Sequence, residues 1–368
     1  MKCNPSPRRT ALRITHRTVA IVAGLSYQRR YCRRGHCCHH GPGAGTGTGH
    51  RGPRTTEQRR HAGQWHAGRR RHDDVRLYRK LFGHPCRRRR IPLSSSGETF
   101  TATESSVSTR GSGSPVLYST GDIEVESLTG TASGSQIAGM EDLNTVVIEN
   151  STLASSITGK TASDPIANGI IIYQSTSGDA ETTTGSTATF IAKDSTLSST
   201  IQSGSMFYLT NTSATVTLEN TVLDFDSSQA ALLTASGNDS NNWGQAGSNG
   251  ASVTVKAVNQ TLEGDIVADT ISSISLKLTK GSTWTGSTVI EENADASNAT
   301  DVPISITVGK NSSWIVTGDC TVSNLTVKKG ATITDNDGQT VGIVANGKTA
   351  VEGTGDVTIT VTGTYTEA

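Results

Sequence analysis

After Arg90 this 368-residue chain has no histidine, one arginine (Arg110) and one cysteine (Cys320). Without histidine, that stretch lacks the commonest general acid–base group. One thiol excludes both an internal disulfide and a thiolate metal cluster there. Aromatic residues are sparse, 4% of the whole, and the tryptophans of that stretch are Trp243, Trp284 and Trp314. No apolar run reaches transmembrane length. No long segment carries the helical apolar period, and a Thr- and Ser-rich chain favours the pleated surface over the helix.

What is present is divided sharply. The net charge of +1 hides a split between residues 1–90, with 23 Lys+Arg against 3 Asp+Glu, and residues 91–368, with 10 against 29. The halves carry about +20 and −19, a seam that one folded domain rarely shows. The division is therefore residues 1–93, a basic segment, and residues 94–368, long enough for one large domain.

The basic segment admits four readings. Cys32, His36, Cys37, Cys38, His39 and His40, with His84 and Cys86, are zinc-ligand types, but most are adjacent rather than in two pairs held apart by a folded loop. The arginines at 69–71 and 87–90 would bind phosphate without sequence specificity. Thr18–Leu25 is a short apolar run after Arg13 and Arg17, like a signal h-region without a small-residue cleavage site. DNA coding for Gly, Ala, Thr and Ser repeats, read one base out of frame or from a wrong start, also yields this Arg, His, Pro and Cys composition. The abrupt change at Ser94 favours that last reading. On any of them the segment lacks the apolar periodicity of a core and is expected to be disordered.

The second part repeats. VVIENSTL (146–153), FIAKDSTL (190–197), VTLENTVL (216–223) and VKAVNQTL (255–262) share strand-like residues, Asn or Asp at the fifth place and Leu at the eighth, at separations of 44, 26 and 39 residues. A second phrase interleaves with it: SPVLYST (114–120), NGIIIYQ (168–174), GSMFYLT (204–210) and QAALLTA (229–235). ISLKLTKGSTW (274–284) matches ISITVGKNSSW (304–314) at a period of 30. Short period-two strands separated by Gly, Asn and Asp turns, with unequal insertions between recurring phrases, predict an all-β fold, a single-stranded right-handed parallel β-helix. The rival is an array of antiparallel sandwiches, which would need longer strands and more aromatic core. A long separation is then two turns, or one turn with an outward loop.

Asn150, Asp194, Asn220 and Asn259 hold the same place in the repeat. They are candidates for stacking at a corner, each side chain satisfying a neighbouring backbone group, or are simply turn residues. Trp284 and Trp314 are candidates for stacking on sugar rings, or for closing the interior. Carboxylate pairs occur at Asp224 and Asp226, Glu291 and Glu292, and Asp335 and Asp337. None is flanked by a catalytic partner, so no catalytic residue, metal site or cofactor is expected.

Segments 312–327 (SSWIVTGDCTVSNLTV), 328–343 (KKGATITDNDGQTVGI) and 354–365 (TGDVTITVTGTY), with the ENSTL and LYST phrases, resemble adhesin-like right-handed parallel β-helix proteins of gut bacteria, in the broad pectate-lyase-like superfamily. The resemblance spans about 94–368. It implies export to the cell surface or medium, where the partners would be host or bacterial glycans or surface proteins, with no specific nucleic acid. A complete relative would open with an export signal; an autotransporter would end in a membrane barrel, and a sortase substrate would carry an LPxTG-like motif. Of these only the export signal has any counterpart here, the signal-like run Thr18–Leu25 without a cleavage site, and no transmembrane segment is found. The alternative on the same fold is a polysaccharide lyase or glycoside hydrolase, which would need converging carboxylates or an acid–base set.

Overall fold

The structure, a computed structural model, describes residues 93–96, 99–175, 186–240, 243–296 and 303–368. The backbone divides into two units, Met1–Ser26 with Arg89–Ala368, and Tyr27–Arg88; every described residue belongs to the former. The zinc-ligand types, the arginine clusters, the apolar run Thr18–Leu25 and the expected disorder all fall outside the described residues.

Those residues form strands, turns and bends with no helix among them. From Leu93 to Val316 the chain visits three sheets in turn, so that every third strand joins the same sheet. The first sheet has eight strands, from Leu93–Ser96 to Thr288–Glu291; the second has ten, from Phe100–Thr103 to Tyr365–Glu367. The third column is in two blocks, five strands from Ser106–Thr109 to Val222–Asp224 and four from Thr261–Glu263 to Thr332–Asp335. Pairing within all of these is parallel, which excludes the antiparallel sandwich. The result is a solenoid in which each circuit adds one strand per sheet and contacts only its neighbours. An antiparallel pair, Gly342–Ala345 with Lys348–Val351, joins the last sheet, where Gly342–Ala345 runs parallel to Thr358–Val361.

The recurring phrases lie in register. Val146 pairs with Phe190, Phe190 with Val216, and Val216 with Val255. Leu276 pairs with Ile306 across the 30-residue period. Each separation is thus a single circuit, and the long ones carry extra residues between strands of the first sheet and their neighbours in sequence, 156–167 before Asn168–Tyr173 and 174–187, 236–250 and 292–303 after first-sheet strands. In the second sheet the period-two alternation sends Val146, Phe190, Val216 and Leu276 into the core and leaves alternate residues outside. In the first sheet Asn168–Tyr173 and Ser205–Thr210 are buried on both faces. Their apolar runs, Ile170–Tyr173 and Met206–Leu209, reflect that burial.

Candidate functional site

The repeated Asn and Asp residues stand at the corner between the second sheet and the third column. Asn150, Asp194, Asn220 and Asn259 all have left-handed backbone, with φ of 48, 48, 46 and 47°. Asn and Asp tolerate this conformation better than other residues with a β-carbon. Glu104, Ser127 and Lys280 stand in the same column with φ of 45, 55 and 53°. Sequence reading missed these three because Glu, Ser and Lys carry no left-handed signal; their spacing from the strands would have found them. Backbone bonds link the column from circuit to circuit, such as Asn150 N–H to Lys193 O at 3.1 Å and Asp194 N–H to Glu219 O at 3.0 Å. Between side chains, Asn220 Nδ2 donates to Asp194 Oδ1 at 2.7 Å.

The side chains that satisfy backbone groups lie one residue further on. Ser151 Oγ donates to Glu149 O at 2.6 Å and accepts from Leu128 N–H at 3.0 Å. Ser195 Oγ likewise donates to Lys193 O at 2.7 Å and accepts from Ser151 N–H at 3.0 Å. Small buried hydroxyls therefore turn the corner, each joining its own circuit to the preceding one.

Trp284 and Trp314 are fully buried, and their rings stack on each other with centroids 4.8 Å apart and planes at 14°. Trp284 Nε1 donates to Gly264 O and Trp314 Nε1 to Gly286 O, each at 2.9 Å. A buried indole needs such a partner. Glycine is required beneath the ring, since a β-carbon on Gly286 would lie 2.3 Å from Gly264 O. The two tryptophans close the interior and offer no face to a sugar, which corrects the glycan-stacking reading.

The outward positions carry hydroxyls in files. On the third column Thr129, Thr152 and Thr196 are successive partners, as are Thr283, Ser313 and Thr332 beyond the break. On the second sheet Thr189, Thr215, Thr254, Ser275 and Ser305 are successive partners. Strand geometry sets these groups about 4.8 Å apart along a file and about 6.7 Å between files. Some bond to one another, as Thr332 Oγ1 does to Ser313 Oγ at 2.8 Å. Such a surface donates and accepts hydrogen bonds over a long span.

The outer side of the first sheet carries acids among aromatic rings. Glu141 is 1% exposed; its Oε2 accepts from Tyr118 at 2.5 Å and Tyr173 at 3.3 Å, and its Oε1 accepts from Ser175. Trp243 stacks on Tyr173 with centroids 4.2 Å apart, and both pack with Ile171 and Tyr208. Burial lifts the Tyr173 hydroxyl well above the usual range, reinforced by Tyr118 and Glu141. Asp164, with Asn168 Nδ2 donating to its Oδ2 at 2.9 Å, is raised to about 6, because burial outweighs that bond and the attraction of Lys160. The set is a small outer core to which the segments flanking the sheet contribute Ile166 and Trp243.

The acid pairs singled out from sequence do not assemble a site. Asp226 Oδ1 accepts from Ser228 N–H and Oγ, and Asp335 Oδ1 from the N–H groups of Asp337 and Gln339. Both carboxylates therefore hold turns. Asp224, Glu291 and Glu292 are exposed. Among the described residues no group of three or more His, Cys, Asp or Glu is placed to hold a metal ion. No helix among them is long and apolar enough to cross a membrane. No protein-family model, curated protein or solved structure matches the chain.

Proposed function

We propose that residues 94–368 are a single-stranded, right-handed parallel β-helix displayed at the cell surface or secreted, with a structural and adhesive role. The right hand follows from the strong preference of parallel crossovers for it. The observation that carries the adhesive reading is the outer surface of the second sheet and third column. Files of Thr and Ser at strand spacing suit weak, extended contact with glycans or surface proteins, each hydroxyl adding little and the span adding up. The resemblance to adhesin-like β-helix proteins points the same way. Intact cells expressing the gene from its native start, treated with an impermeant amine label, would yield labelled Lys256 and Lys277 peptides. Labelling only after lysis would refute surface display, and recovery from the medium would indicate secretion.

A polysaccharide lyase or hydrolase on the same fold is favoured by one feature, the raised proton affinity of Asp164 near Tyr173. Product release from polygalacturonate or a neutral glucan, lost in Asp164→Asn, would establish it.

A further inference from the structure

The third column breaks between two consecutive circuits. Val222–Asp224 is the last strand of one block and Thr261–Glu263 the first of the next. On either side of the break the same circuits remain joined, through Thr212–Glu219 with Ala251–Val258 and Ser205–Thr210 with Ala231–Ala235. The cause lies at the corner. Where other circuits place Ser151 or Ser195, this one has Gln260, 3% exposed. Its Oε1 accepts from Thr221 N–H at 2.8 Å, and its Nε2 donates to Thr221 O at 2.5 Å. A side-chain amide thus fills the place of a peptide group and, being longer than a hydroxymethyl, holds the strands apart. Pairing would also set Asp224 beside Glu263, a like-charge contact that disfavours closure.

The two open edges face each other. Val222 N–H bonds back to Ser195 O, and Gly264 N–H bonds forward to Thr285 O. By the alternation of a parallel ladder, the N–H and C=O of Leu223 and Glu263 and the N–H of Thr261 point into the break, where they find no partner among the described residues. A groove of about 300 Å³ runs there, lined by Thr221, Val222, Leu223, Gln260, Thr261 and Glu263. That is the lower end of the range for ligand sites. Val222, in its lining, is 58% exposed, the most exposed large apolar side chain described.

We propose that this break is a docking site for an extended peptide, which enters as a parallel strand between Val222–Asp224 and Thr261–Glu263. The occupant's chemistry follows from the walls. Backbone donors and acceptors on both sides call for a peptide rather than a sugar, and Gln260 already supplies its first amide. One outward residue of the guest lies between Val222 and Thr261 and is β-branched. The next points inward between Leu223 and Leu262. The cavity behind Leu262 is only about 10 Å³, so that residue is small. The third lies between Asp224 and Glu263 and is Lys or Arg, where one cation relieves both carboxylates. The site does not depend on display at the cell surface and is tested with purified protein.

The probe is acetyl-TVAKT-amide, added to the full chain and read by hydrogen exchange at single amides and by fluorescence anisotropy of a labelled copy. Expected are slower exchange at Leu223 and Glu263, and binding weakened about tenfold or more when the probe is N-methylated at its Lys and last Thr, whose N–H groups meet the carbonyls of Leu223 and Glu263. Val222→Lys, a surface change, weakens binding by crowding and repulsion. Gln260→Ser restores the corner hydroxyl, lets the strands close, and removes binding while Leu223 becomes slow to exchange without the probe. Unchanged exchange at Leu223 and Glu263 with millimolar probe would overturn the proposal. So would equal binding of the N-methylated probe, or protection of these amides by cellohexaose or a galacturonate oligomer and not by the peptide.

Discussion

At Asn150, Asp194, Asn220 and Asn259 the left-handed backbone governs which side chains are tolerated. Asn259→Gly should leave stability within a few tenths of a kcal/mol or raise it, whereas Asn259→Ala should cost about 1 kcal/mol. Urea midpoints of the two variants would show that order; equal losses would mean that the side chain, and not φ, matters there. Asp164 makes a different demand. Its carboxyl is about 6 in the fold against an ordinary 3.8. Between those values the folded chain holds a proton that the unfolded chain has released, so this group's contribution to stability falls as pH rises from about 4 to about 6, and is flat above. The full difference is up to about 3 kcal/mol. Asp164→Asn should abolish that slope and raise the melting temperature at pH 7; a melting curve across pH unchanged by the substitution would contradict it. The sequence already showed Asn and Asp recurring at one place of the repeat. It could not show that the hydroxyl after them does the backbone bonding, since Ser and Thr are everywhere in this chain. Nor could it show Asp164, whose burial depends on how the segment before Asn168–Tyr173 packs.

Trp284 and Trp314 show how one strand position becomes a column. Register puts Leu262 beside Trp284, Trp284 beside Trp314 and Trp314 beside Ile333. The rings therefore fill successive layers of one interior wall. Trp314→Ala should cost about 3–5 kcal/mol, the usual penalty for emptying such a space. Gly286→Ala should also destabilise, by pushing the Trp284 ring off its Gly264 acceptor. A double-mutant cycle between Trp314→Phe and Gly286→Ala, measured by urea unfolding, should show coupling above about 0.5 kcal/mol because both act on the Gly286 carbonyl environment; strict additivity would sink that account. Here the 30-residue repeat made the pairing of the tryptophans readable in advance. That shared place also favoured a structural role, but burial itself was not readable, because a strand residue that follows a turn can face either way until the sheet it joins is known. The break after Val222–Asp224 was equally hidden. VKAVNQTL looks like its sister phrases, and only the size of Gln260 against Ser151 and Ser195 separates them.

A solenoid stands or falls by the contacts between successive circuits, so the break raises the question whether it divides the fold into two independently melting halves. The break removes pairing over the three residues Val222–Asp224, while the same two circuits keep an eight-residue ladder, Thr212–Glu219 with Ala251–Val258, and bury Ala214, Val216, Leu218, Val253 and Val255 between them. Three lost rungs against eight kept, with apolar burial worth about 1.5–3 kcal/mol per large side chain, leave the junction strong. Opening should therefore be local, confined to Leu223 and Thr261–Glu263, and unfolding should cross the junction in one step. A chain carrying Trp65→Phe and Trp243→Phe reports through Trp284 and Trp314, beyond the break, while circular dichroism reports on strands from both sides. The two urea midpoints should coincide, and Gln260→Ser should raise both together. A fluorescence midpoint displaced from the circular dichroism midpoint would show that the longer ladder fails to couple the halves. In that case Gln260 would mark a true boundary between folding units rather than a local opening in a continuous one.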